Sequence, residues 1–197
     1  MVAILIGAGL FGFSAGVWRA PAMGTYVAVK LPLVIYLILL VNGLINGMLA
    51  HVLGSGLSFR QALSMSLASF TSAAIILGAL SPATFFLTLN APPADAPDAA
   101  RGHQFVMLGH TALIAYAGIV GNYQAYRLLA AFTGRVSAAR RTLLAWLAVN
   151  LFVGAQLTYN LRPFFGNPSL DVQFIRENPF DGSFYEVLYH ALTATLD

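Results

Sequence analysis

The chain has 197 residues, of which 58% are hydrophobic and 9% charged, with a formal net charge of +3. Soluble domains carry about 25% charged residues, so this chain cannot cover a water-facing surface. Its ten Lys and Arg are scattered and form no stripe for nucleic acid, and without cysteine it has no disulfide, thiolate metal site or cysteine nucleophile.

No Asp or Glu precedes Asp95, and only Arg19, Lys30 and Arg60 carry charge before it. Long apolar intervals between isolated charges predict membrane spans, which need about 20 residues each. The first run, 2–18, is short and is followed by Arg19. Ala20-Pro21-Ala22 resembles a small-residue cleavage site, but no basic segment precedes the run, so it is read as a span. The second span, 31–53, is introduced by Lys30. After the turn Gly54-Ser55-Gly56, Ser58 and Gln61 have capping-box spacing and open a third span at 62–80. Ser81-Pro82 is expected to break or kink it.

The Pro-, Ala- and Asp-rich stretch 90–104 cannot bury a core and reads as an exposed loop. A fourth span, 105–126, is followed by helix protruding to Gly134, a C-terminal cap. The fifth, 143–161, stops at Arg162-Pro163, because proline cannot continue the intrahelical bonding. The predicted architecture is therefore all-α: a polytopic transmembrane bundle of about five spans over 1–162, and an extramembrane interfacial tail over 163–197.

Within the tail, Arg162, Pro163, Phe164 and Phe165 are expected at the membrane interface, and Gly166-Asn167-Pro168 to turn the chain. Ser183 and Glu186 repeat the capping-box spacing, and Phe184, Val187, Leu188, Ala191 and Leu192 fall on one helical face. A short amphipathic helix is expected there, lying on the membrane or against the bundle. Asp171, Glu177, Asp181 and Glu186 are either solvated or paired with Arg162 or Arg176.

If all five runs cross, the basic residues tie, with five on each side. The four Arg at 127–141 crowd two helix ends, where the positive-inside rule acts most strongly. That weighting makes the N-terminus cytoplasmic and the tail periplasmic or external.

Little in the chain points to chemistry. The predicted spans hold no Asp, Glu or Lys, which argues against an ion-coupled carrier. His51 belongs to one side of the membrane and His110 to the other; His103 and His110 are seven residues apart and, with His190, are the only combination near one surface. The serines of "SMSLASFTS" lack a nucleophile-elbow setting. No catalytic residue, metal or cofactor is expected.

Helix association has a clearer signature. Ala8, Gly12 and Gly16 form a small-xxx-small ladder, and Gly43 and Gly47 form another beside Asn42 and Asn46. Asn150, Gly154 and Thr158 make a similar stripe on the fifth span. These faces suit packing within one bundle or against another subunit.

The final third carries Gly154, Gln156, Leu161, Arg162, Pro163, Phe164, Gly166, Pro168, Phe174, Arg176, Gly182 and Tyr185. This pattern resembles the C-terminal half of an uncharacterised family of bacterial multi-spanning inner-membrane proteins. "VKLPL" and "LSFRQ" extend the likeness loosely over the rest. The resemblance implies a bacterial inner-membrane location and supplies no activity. The chain is therefore expected to be non-catalytic: a structural or accessory subunit packed in the lipid bilayer against other membrane proteins or itself, or alternatively a small permease or lipid-handling component.

Overall fold

The computed structural model describes residues 1–189. They form five main helices, α1 (Val2–Gly16), α2 (Pro21–Val52), α3 (Phe59–Asn90), α4 (Ala99–Thr133) and α5 (Val136–Asn160), with a further helical segment at 184–189 and no strand. The four helices α2 to α5 are each long and apolar enough to cross a membrane. At about 1.5 Å per residue, α1, with 15 residues, is shorter than the roughly 30 Å hydrocarbon core. It lies antiparallel to the first half of α2, where the Tyr36 hydroxyl donates to Met1 O at 2.8 Å. The fold is an all-helical membrane bundle.

Helices α2, α3, α4 and α5 form a closed ring of neighbours, and α1 packs outside it on α2 and α3. At one end, here the hairpin end, Ala50, Leu57, Met65, Leu129, Ala139 and Trp146 bury together and draw all four ring helices into contact. Gly134, at φ +61°, caps α4 there and turns the chain directly into α5. At the opposite, tail end, the Trp18 indole donates to Pro92 O at 2.9 Å, tying the α1–α2 turn to the α3–α4 loop.

Local signals set several boundaries. Ser58 and Gln61 close the predicted capping box, with Ser58 N donating to Gln61 Oε1 at 2.9 Å and Gln61 N to Ser58 Oγ at 3.3 Å. Helix α3 runs through Pro82, so of the expected break or kink the break does not occur. Around the proline, the Ser81 and Thr84 hydroxyls turn back onto their own helix, donating to Leu77 O and Leu80 O. Helices α2, α4 and α5 also begin well before the apolar runs that predicted them. Lys30 consequently lies inside α2, ten residues from its start counting Pro21, and does not precede it.

The predicted packing residues join helices of this one chain. Ala8 is fully buried with Ile4, Ile35, Leu39 and Ala74. Gly12 and Gly16 bring α1 onto the backbone of α2 at Val27 and Met23. Gly43 faces Leu63, Gly47 faces the Phe59 ring, and Gly154 faces Ile38. Sequence reading missed the closest α1–α3 approach, where Gly7 meets the Ala74 carbonyl and Gly78 meets Gly7.

Candidate functional site

The polar faces meet in a buried node. Asn42 Nδ2 of α2 donates to Asn150 Oδ1 of α5 at 2.8 Å, and Asn46 Nδ2 reaches the same oxygen at 3.4 Å and Ser66 Oγ of α3 at 3.3 Å. Trp146 Nε1 donates to Asn46 O at 2.9 Å. Asn150 is thus the shared acceptor that fixes α5 against α2. Polar contacts of this kind in membranes are worth about 0.6 kcal/mol on average and at most about 1.7. Asn150→Leu should cost about 1 kcal/mol, and the added Asn42→Leu should cost less than it does alone. A double-mutant cycle on thermal unfolding in detergent checks that coupling.

Beyond this node toward the tail end, the ring helices enclose a cavity of about 1220 Å³. That exceeds the roughly 300–1,000 Å³ of small-molecule pockets. Its walls are apolar: Val34 and Ile38 of α2, Phe70 of α3, Ile114 of α4, and Leu147 and Leu151 of α5. Asn150, Gly154 and the exposed Thr158 of the predicted stripe lie along the same wall. Ile119 of α4 and Leu151 of α5 border the cavity yet are each 70% exposed. Both lie well inside their helices, so the cavity is a cleft that opens sideways between α4 and α5 at membrane depth.

The tail covers the cleft's far end. Lys30 is fully buried, its ammonium donating to Pro163 O at 2.7 Å with the Phe164 and Phe174 ring centroids 5.6 and 5.1 Å away. Arg19 donates to Asn167 O and Leu170 O, and its stem packs against Gly166, whose φ of +68° and lack of a side chain admit that approach. Phe165, expected at the interface, turns inward within the tail: its ring stacks on His110 at 5.6 Å and packs against the buried cluster of Phe11, Ala15, Leu77 and Ala117.

The final described segment docks on α5. Ser183 and Glu186 form the predicted reciprocal cap, at 2.9 and 3.1 Å, and helix follows over 184–189. Phe184 N donates to Gln156 Oε1 at 3.1 Å, and Tyr185 stacks on Phe152 with centroids 4.6 Å apart. Phe184 and Val187 border the cleft. His190, Ala191 and Leu192 lie outside the described residues.

Arg162 stands at the mouth of the cleft, its guanidinium carbon 3.5 Å from the Tyr159 ring centroid. Arg176 lies 4.9 Å from the same centroid and donates to Pro179 O and Asp181 O. Of the two alternatives for the tail carboxylates, solvated or paired with these arginines, no pairing is formed among the described residues: Arg176 bonds backbone carbonyls, and no hydrogen bond joins the Arg162 guanidinium to a described residue. The Nε atoms of both are buried without a partner.

The three described histidines do not converge. His51 is exposed at the hairpin end, His103 lies 5.6 Å from the Trp18 ring, and His110 is wedged between Phe11 and Phe165. Among the described residues no three His, Cys, Asp or Glu are grouped to hold a metal. No known family, characterised protein or solved structure matches the chain.

Proposed function

We propose that this chain is a lipid-handling membrane protein that admits acyl chains sideways into the cleft between α4 and α5. The observation carrying this reading is the 1220 Å³ apolar cavity opening at membrane depth. Lipid is the apolar molecule at high concentration along that opening, and the cleft presents no organised reactive centre. In keeping with the charge of the 127–141 segment, we place the hairpin end in the cytoplasm and the tail outside a bacterial inner membrane.

An accessory subunit of a larger complex is the rival reading. It draws on the small-residue faces at Gly12, Gly16, Gly43 and Gly47, and those faces are filled by helices of the same chain. Binding of lipid therefore takes precedence over binding of a subunit.

Native mass spectrometry from mild detergent separates the two. The expected particle is this chain with bound phospholipid; a stoichiometric set of other subunits would favour the accessory reading. Gly118 borders the cleft, and nothing lies within 4 Å of a Cβ placed on it. Gly118→Trp should fold normally and lose bound lipid several-fold. Unchanged lipid occupancy in that variant would place the lipid elsewhere.

A further inference from the structure

The cleft is apolar along its walls but ends in cationic groups, and that asymmetry specifies an occupant. Resting on the lipid-handling reading, we infer that the tail end of the cleft is a headgroup seat for an anionic glycerophospholipid, with the Arg162 guanidinium holding the phosphate and Arg176 flanking it.

Three observations support this assignment. Arg162 borders the cleft itself, so a head bound there is continuous with acyl chains inside. Its guanidinium carbon lies 3.5 Å from the Tyr159 ring centroid, which holds the donor fork in place, while its Nε is buried and no hydrogen bond joins the guanidinium to a described residue. Arg176 stands at 4.9 Å from the same ring, placing two guanidinium groups around one tyrosine, and no carboxylate of the described residues is paired to either.

Charge balance points the same way. The other cations holding the tail are already spent on carbonyls: Lys30, buried under it, on Pro163 O, and Arg19 on Asn167 O and Leu170 O. Arg162 is left with a guanidinium fork that matches the paired oxygens of a phosphate. A neutral, zwitterionic headgroup brings its own ammonium into a site already holding two positive groups. An anionic headgroup such as phosphatidylglycerol brings none.

The test uses full-length protein in nanodiscs of mixed phosphatidylglycerol and phosphatidylcholine, released into detergent and read by native mass spectrometry. Wild type should retain phosphatidylglycerol over phosphatidylcholine by about tenfold relative to the input ratio, the scale of one charge-assisted contact. Arg162→Gln should bring that ratio close to one while the total bound lipid stays the same. Arg162→Lys should retain part of the preference, since charge survives and the fork does not. Arg135→Gln, at the hairpin end, should change nothing.

Equal retention of the two lipids by wild type, with lipid still bound, would overturn the headgroup seat and leave the cleft reading standing. No bound lipid at all would overturn both. An anionic preference that survives Arg162→Gln but falls in Arg135→Gln would assign the selectivity to general surface charge. Displacement of the bound species by inorganic phosphate would overturn a lipid as its source.

Discussion

Gly12→Val should be among the most damaging single changes, destabilising the protein by about 2–3 kcal/mol. A Cβ on Gly12 would lie 2.6 Å from Val27 O and 2.9 Å from Val27 C, both backbone atoms of α2. Backbone inside a helix cannot rotate aside as a side chain does, so α1 must back away from α2. That movement loosens Ile4, Ala8, Phe11 and Ala15, each at most 1% exposed. Lipid offers no hydrophobic drive to bring the helices back, since the association rests on close packing. Gly43→Ala is the matched control, because its Cβ would meet only the mobile Leu63 Cδ1, at 2.9 Å. It should cost less than about 1 kcal/mol. Thermal unfolding followed by size-exclusion chromatography in detergent compares the two; equal melting shifts would show that α1 tolerates displacement.

Lys30→Glu should release the tail. The ammonium joins α2 to Pro163 O at 2.7 Å, and hydrogen bonds to charged groups are worth about 1.5–3 kcal/mol. The substitution removes that donor and sets a carboxylate against a carbonyl oxygen and the electron-rich faces of Phe164 and Phe174. Arg176, now held on carbonyl oxygens beside Tyr159, supplies the reporter. Trypsin should cut after it at least about tenfold faster in the variant, following the larger open population. Lys30→Arg keeps a cation and should stay near wild type. Identical cleavage of wild type and Lys30→Glu would mean that other contacts, such as Arg19 with Asn167 and Leu170, hold the tail unaided.

The parts of this fold legible in the sequence are those settled within a few residues. Ser58 with Gln61, Ser183 with Glu186, and Gly134 each act through bonds to their near neighbours, and each caps a helix as its spacing predicts. Helix extents were harder to read because hydropathy marks the apolar run and not where helical bonding starts. Residues 21–30 are helical, so Lys30 lies inside α2 and not at its start. At Pro82 the helix runs on, so of the expected break or kink the break does not occur.

The cleft itself left no local trace. Its walls are ordinary span residues, and what makes them a cavity is the packing of four helices that converge near Trp146 and leave space toward the tail. Asn42, Asn46 and Asn150 were visible as polar residues on helix faces, but their meeting at one oxygen depends on which helices are neighbours. That no described acid meets Arg162 likewise follows from the path of the described tail, which carries Arg176 onto backbone carbonyls.

The sideways opening between Ile119 and Leu151 also sets what such a cleft can sense. A molecule entering there never passes through water, so the cost of extracting an acyl chain from the bilayer does not enter its binding equilibrium. Occupancy then depends on the mole fraction of each lipid in the surrounding leaflet, a two-dimensional concentration, and not on any aqueous one. The protein's lipid-bound fraction would follow the composition of its own membrane, rising and falling as that leaflet is remodelled.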